Sequence, residues 1–297
     1  MKIKLILTAI VAAFVITNAV AQTTLQLNLQ KGETYYQTNK TNLDVSMSIS
    51  GMSMAIISAS DQKYAFKVVN LDGDNYDLEV VFERLSMSTT TPQASISYSS
   101  ENPKDAISSA LAEATKHSFN IKMNKLGEVL EVTNFDKFLD ATLSQNSEIF
   151  EAEKQQIKQL LEEARNSISS SISIYPKMAV STGDIWETTN SATSGGISIN
   201  STSKFTLSES TASYNKISGA ITLQSDPNAA PMYDPSMGGS IKYKISGTGN
   251  IDITLDAKSG WIIEANTKQN VKGDLQIVEA GMDIPLNMTI TSSIKNQ

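Results

Sequence analysis

Strict alternation of apolar and polar residues over most of the chain is the feature that most restricts its fold. A side-chain period of two fits a half-buried β-strand and no helix. Leu43, Val45, Met47 and Ile49 are separated by polar residues, and the same parity continues beyond Ser50-Gly51 through Met52, Met54 and Ile56. A two-residue turn at Ser50-Gly51 sets Ile49 opposite Met52, Met47 opposite Met54 and Val45 opposite Ile56. Register and pattern then agree on one apolar face. Residues 34–60 are therefore expected as a long hairpin. Tyr64, Phe66 and Val68, then Tyr76, Leu78, Val80 and Phe82, predict a second hairpin around Leu71-Asp72-Gly73. A three-residue loop there puts Val68 opposite Tyr76 and Phe66 opposite Leu78. The alternation slips between Phe82 and Leu85, which places a bulge at Glu83-Arg84.

Helical spacing interrupts this pattern in the middle of the chain. Ile107, Ala110, Leu111 and Ala114 recur on one helical face, with Asn102 as the expected cap and Pro103 at the first position. Phe119, Ile121 and Met123, then Leu130 and Val132, form a third hairpin around residues 125–128. A short helix is expected from Phe135 to Leu143, capped by Asn134. Residues 148–166 form the strongest helix, with Ser147 as cap and Phe150, Ile157, Leu160, Leu161 and Ala164 as its buried stripe. After Tyr175-Pro176 the chain returns to strands.

The two β-rich stretches repeat one another. Gly32-Glu33-Thr34-Tyr35 corresponds to Gly183-Asp184-Ile185-Trp186 as glycine, acid, any residue, aromatic. The strand and turn from Phe119 to Gly127 correspond to those from Ile251 to Gly260, each followed by an apolar strand, in the same order along the chain. A degenerate duplication of about residues 24–133 and 175–275 follows. The expected organisation is a signal peptide over 1–21, an N-terminal β-rich half over 22–147, a linking amphipathic helix over 148–170 and a C-terminal β-rich half over 171–297. The fold class is mainly β, an antiparallel, strongly curved sheet of two related halves with about three helices between them. The stripe on the linking helix must be buried, which favours one unit over two separate domains.

The leader has an export pattern. Lys2 and Lys4 precede an apolar stretch to Ile16, and Ala19-Val20-Ala21 is a small-x-small cleavage site before Gln22. The apolar stretch is shorter than the roughly 20 residues of a spanning helix. No later segment is long and apolar enough to span as a helix. A periplasmic or secreted location, with cleavage after Ala21, is expected. Composition then narrows function. With no Cys there is no disulfide scaffold, thiolate nucleophile or Cys-held zinc. A net charge of -7 with 24 Lys+Arg against 31 Asp+Glu argues against nucleic acid as a partner, which needs a basic surface.

Candidate sites are few. His117, the single histidine, sits at a helix end where the dipole favours a cation, and no nucleophile motif accompanies it. Asp72, Asp74, Asp77 and Glu79 alternate as acids do in calcium loops, but Gly73 comes too early for one and a plain hairpin turn is the better reading. The glutamates of the linking helix, interspersed with Lys154, Lys158 and Arg165, read as a solvated face. No metal, cofactor or catalytic residue is expected. Met47, Met52, Met54 and Met87 fall on the apolar face of neighbouring strands, where methionine, which adapts to varied apolar shapes, either lines a groove for a hydrophobic ligand or fills gaps in the core. The interruption from Asp226 to Gly239 carries Met232, Tyr233 and Met237, and a loop of this length is either disordered or functional, in the second case a flap over the groove or a partner-binding tip. The expected function is non-enzymatic: binding of an apolar ligand or lipidated partner in a concavity lined by Met47, Met52, Met54 and Met87, with Met232 and Tyr233 on the flap. The alternative is a structural or interaction module of the envelope using the 225–240 loop.

Four segments also carry a resemblance. Gly32-Glu33-Thr34-Tyr35-Tyr36, the run from Lys122 to Val132, Gly183-Asp184-Ile185-Trp186 and the run from Ser259 to Ala265 resemble a family of exported, β-rich Bacteroidetes proteins of unknown function. The likeness covers nearly the whole mature chain in the same order. It implies an envelope location and a β-rich fold, and no chemistry. The order of elements is similar to periplasmic lipoprotein-carrier folds, an architectural likeness alone.

Overall fold

The computed structural model describes residues 22–49, 52–144, 150–172, 174–194, 197–234 and 238–296. Five strands and a short accessory strand make the first half: β1 (Thr34–Ile49), β2 (Met52–Asp72), β3 (Asn75–Thr90), β4 (Ser95–Ser99), β5 (Ser118–Asn124) and β6 (Val129–Thr133), with helix α1 (Ala106–Ala114) between β4 and β5. Helices α2 (Phe135–Ser144) and α3 (Glu151–Ile172) follow. The second half holds β7 (Ile185–Ser194), β8 (Ile197–Ser210), β9 (Tyr214–Ser225), β10 (Met232–Asp234), β11 (Gly239–Asp256), β12 (Ile262–Ile277) and β13 (Met282–Lys295). All pair antiparallel in one open sheet ordered β6-β5-β3-β2-β1-β13-β12-β11-β9-β8-β7, with β4 on β3 and β10 on β11.

The duplication read from the turns is visible in this order. The meander β1-β2-β3-β5-β6 is repeated as β7-β8-β9-β11-β12, and β13 fills the seam between the first strand of one and the last of the other. Equivalent hydrogen bonds recur. The Gly32 N–H donates to the Val68 carbonyl and the Val68 N–H to Glu33, while Gly183 donates to Leu207 and Leu207 to Asp184. Tyr35 faces Phe66 in the first half as Trp186 faces Phe205 in the second.

The first hairpin has the expected register, with Ile49 opposite Met52, Met47 opposite Met54 and Val45 opposite Ile56. Its Ser50-Gly51 turn lies outside the described residues. The second hairpin is corrected by two residues: Val68 faces Leu78 and Phe66 faces Val80. The chain makes a two-residue turn with Asp72 paired to Asn75, and a bulge at Val69 absorbs the extra residue. The bulge at Glu83 is where the lost alternation put it. β2 is also a single strand of 21 residues that serves both hairpins.

Helix α1 buries Ile107, Ala110, Leu111 and Ala114 as expected, but its cap is Asp105, not Asn102. The Asp105 carboxylate accepts from the Ser108 N–H at 2.8 Å and from its hydroxyl at 2.8 Å. These bonds satisfy donors that the first turn leaves open. Along α3, Ile157, Leu161, Ala164 and Ile168 are buried, while Phe150, expected in the stripe, precedes the helix and is 78% exposed. Ser147, the expected cap, lies outside the described residues. The three helices cover one end of the inner face. There Phe82 meets Phe119 and Phe138 at centroid distances of 5.5 and 5.6 Å, and Phe119 meets Phe135 edge-on at 5.2 Å. Near the far ends of the long strands a second apolar cluster contains Met47, Leu223, Ile241, Val271, Leu275 and Leu286.

The segment from Gln22 to Lys31 belongs to none of the expected hairpins, although Leu25, Leu27 and Leu29 alternate there. All three are buried. The segment bridges equivalent turns of the two halves. The Leu27 N–H donates to the Lys125 carbonyl at 2.8 Å, and the Asn28 N–H donates to Ser259 at 2.7 Å. Tyr76 donates its hydroxyl to the Leu27 carbonyl at 2.8 Å. Truncation of Leu27 to Ala should cost about 2–5 kcal/mol, read as a fall in the urea midpoint at constant slope. A loss under about 1 kcal/mol would mean the segment contributes little beyond its own hydrogen bonds.

Candidate functional site

Between the helix-covered core and the far apolar cluster, the inner face changes character. Three rows of inward side chains cross it, and the pairing registers define them. The first runs Thr41, Ser292, Thr267, Ile251, Gly219, Phe205, Trp186. The second runs Leu43, Ile290, Gln269, Gly249, Ile221, Ser203, Thr188. The third runs Val45, Met288, Val271, Gly247, Leu223, Ser201, Asn190. Each row carries one glycine where the alternation calls for a side chain. A Cβ at Gly247 would meet the Asn270 carbonyl at 2.6 Å, and one at Gly249 would meet the Lys268 carbonyl at 2.6 Å. Glycine there lets β11 lie closer to β12 than any side chain permits.

This part of the inner face holds a hollow of about 350 Å³. Seven apolar residues line it: Ile174, Ile199, Phe205, Ile221, Leu223, Ile251 and Ile294. Its other lining side chains are hydroxyls and amides, among them Asn39, Thr41, Ser203, Thr267, Gln269 and Ser292. Among the described residues, no acidic, basic or histidine side chain lines it. Ser167 of α3 reaches it from the helix layer, held by a 2.8 Å hydrogen bond with the Tyr64 hydroxyl, whose single proton also has Gln62 Oε1 and, at 3.2 Å, the Ala164 carbonyl within reach as acceptors. Burial pushes the Tyr64 phenol well above its ordinary range, so it stays neutral. The hollow's volume falls within the ~300–1,000 Å³ of small-molecule pockets.

The methionines expected to line a concavity lie elsewhere. Met47 is buried in the far cluster, and Met54 and Met232 pack against it. Met52 is 71% exposed at the hairpin end, and Tyr233 is 68% exposed on β10. Met87 is half-buried opposite Ser60 and Tyr98. None of these six lines the hollow, and Met237 lies outside the described residues. Leu223 joins the two regions, since it lines the hollow and belongs to the far cluster. The hollow-lining residues were missed because they break the apolar alternation. The signal was present as polar residues and glycines on the inward parity of β7, β8, β11 and β12.

Charged groups elsewhere are taken up locally. His117 Nε2 lies 3.1 Å from Glu113, whose other oxygen accepts from Lys116 at 2.6 Å. Asp72 pairs with Lys122 at 3.0 Å and Asp74 with Lys125 at 2.5 Å, so the acids of the second hairpin turn are ion-paired across to β5 and its turn. On the outward face Asp61 lies between Arg84 at 2.7 Å and Lys40 at 2.9 Å. Partial burial raises the Asp61 carboxyl, but the two cations outweigh it and hold the group below the usual carboxylate range. At the β11–β12 turn, partial burial likewise raises Asp256, and hydrogen bonds from the Ser259 N–H and hydroxyl and the Lys258 N–H hold it low on balance.

A carboxyl held lower in the folded than in the unfolded state stabilises the fold fully above its unfolded value. It loses that contribution as pH falls through the folded one. Stability should therefore decline below about pH 4. Replacing Asp256 with Asn should flatten that decline, measured as urea midpoints from neutral to acid pH. An unchanged acid slope in the variant would show that Asp256 takes no part in it.

The fold and site define a class: an open, curved antiparallel sheet with a neutral hollow on its helix-bearing face. The chain belongs to a family of unknown function (DUF6263), whose profile matches residues 73–262. A search of curated proteins finds no significant match. Among solved structures, one concerned with lipid–protein interactions in lipovitellin aligns with a TM-score of 0.51 at 7% identity, over 91% of this chain and 25% of that one. The chain thus spans about a quarter of that protein, and the likeness is one of fold. DynF from the dynemicin biosynthesis pathway of Micromonospora chersina aligns over 94% of this chain and 86% of its own, with 6% identity and a TM-score of 0.24. A putative outer membrane lipoprotein-sorting protein domain from Vibrio parahaemolyticus aligns over 88% and 85%, with 6% identity and a TM-score of 0.14. Neither of these two scores establishes a shared fold.

Proposed function

We propose that the protein is an exported, non-enzymatic binding protein of the bacterial envelope that holds an apolar or amphiphilic ligand in the hollow of its inner face. The observation that carries this reading is the hollow itself: about 350 Å³ of space between two apolar clusters, with an aliphatic floor and no titratable side chain among its described walls. Burial of apolar surface there supplies binding at ~25 cal/mol per Å². The methionine-rich cluster around Met47 and Met54 serves as a compliant end wall, reached through Leu223. The fold shared with lipovitellin, a structure described by its lipid–protein interactions, supports the same reading. The leader ending at Ala21 supports export to the periplasm or beyond, as does the resemblance to exported Bacteroidetes proteins. Thr23, two residues past that cut, already pairs with Val180.

Filling the space tests the assignment. Ser203 faces the hollow beside Ile221, and Ser203→Trp should lower the affinity of a fluorescent naphthylamine probe by about a hundredfold or more, while leaving thermal unfolding within a few degrees of the parent. Retained affinity in a folded variant would move the site elsewhere. A second reading, docking to another envelope protein through the 225–240 loop, draws on the exposure of Tyr233, which pairs with Ser240 next to Val278. Tyr233→Ala should abolish co-purification of such a partner and leave probe binding unchanged.

A further inference from the structure

The chemistry of the walls goes beyond the presence of a hollow. Apolar ligands need only the floor of Ile221, Ile251 and Ile294, yet more than half of the lining is hydroxyl or amide. Among the described residues the side chains of Thr188, Ser203, Thr267 and Gln269 find no hydrogen-bond partner in the protein. They therefore present free donors and acceptors to whatever fills the space. The registers place them on two sides of the floor: Thr267 and Gln269 on β12, Ser203 and Thr188 on β8 and β7. A ligand lying across Ile221 and Ile251 meets polar groups at both flanks.

An ionised head has no counter-charge here. The lysines nearest in sequence, Lys268 on β12 and Lys204 on β8, have the opposite parity and belong to the outward face. Moving a carboxylate or phosphate from water against aliphatic and hydroxyl walls loses hydration that the neutral hydroxyl and amide donors restore only in part, with no cation on the lining to complete it. A hydroxyl, ester or glycosidic oxygen loses far less, because free Ser, Thr and Gln groups restore its hydrogen bonds.

We infer that the hollow selects an uncharged amphiphile, with a hydroxyl- or carbonyl-bearing head and an aliphatic part, over an anionic lipid of equal chain length. This rests on the hollow being the binding site, and the experiment separates the two claims. Displacement of the naphthylamine probe from the mature protein is measured with monolauroylglycerol and with laurate, both below their aggregation limits at about pH 8, where laurate is ionised. The neutral ligand should bind at least about tenfold more tightly, and Gln269→Lys should raise laurate affinity by about tenfold by supplying the missing cation. Laurate binding as well as monolauroylglycerol would overturn the selectivity and leave the hollow as the site. The selectivity is overturned in the same way if the probe binds and neither lipid displaces it. If the probe itself is not taken up, the site assignment fails together with the selectivity.

Discussion

Replacing Gly260 with Ala should cost the fold about 3 kcal/mol or more. Gly260 has φ +71°, a left-handed conformation that costs other residues roughly 1–2 kcal/mol. A Cβ there would also collide with the Gln26 carbonyl, part of the backbone of the buried N-terminal segment. Relief requires that segment to move, and with it Leu25, Leu27 and the bonds to Lys125 and Ser259. The Gly260 carbonyl in turn accepts from the Tyr175 hydroxyl at 2.8 Å, so displacement is felt by the strand-free stretch leading into the second half. The measurement is the urea midpoint together with amide exchange at Leu27 and Asn28. A loss near that of an ordinary surface substitution, within about 0.5 kcal/mol, would show that the segment is not locked as described.

The next residue gives the second large effect. Trp261 belongs to the second half but packs on the first, its ring 5.3 Å from Tyr35 and 5.3 Å, edge-on, from Phe66. Its indole N–H donates to the Tyr36 carbonyl at 2.9 Å. Trp261→Ala removes this packing and leaves the Tyr36 carbonyl to find water, and should cost about 3–5 kcal/mol. Because the ring sits on the seam between repeats, cooperativity should suffer as well as stability. We expect a lower denaturant slope or two resolved transitions, read by far-UV dichroism and by fluorescence of the remaining Trp186. A single transition with an unchanged slope and midpoint would show that the repeats do not depend on this contact.

Legibility in the sequence followed how locally each feature is determined. The first hairpin's register is set by one alternating pattern and one turn, and both could be read. The second hairpin was displaced by two residues because a bulge at Val69 compensates a tighter turn, and alternation alone does not separate the two solutions. The cap of α1 moved from Asn102 to Asp105 because both residue types cap, and only the Ser108 contacts decide between them. The repeat was legible from Gly32 and Gly183 because the turn needs glycine and the aromatic beside it packs inward. The site was not. Its residues come from β1, β7, β8, β9, β11, β12, β13 and α3, and what unites them is a set of hydroxyl and amide side chains at inward positions among the aliphatic ones. Apolar alternation points to the methionines, which fill space, and passes over the serines and threonines that line the hollow. The outward parity of the same strands, with Lys40, Asn42 and Asp44 on β1 and Lys268, Asn270 and Lys272 on β12, is polar along its length. An apolar lipid-facing band of the kind seen on membrane barrels needs the reverse.

The most direct measurement is native mass spectrometry of the purified protein, with organic extraction of whatever travels with it, performed side by side on the parent and on Ser203→Trp. We expect a defined adduct on the parent, identified in the extract as an uncharged amphiphile, and its loss from the tryptophan variant at unchanged charge-state distribution. A parent that carries nothing even after incubation with neutral amphiphiles, or an adduct held equally by both proteins, would contradict a ligand site in the hollow.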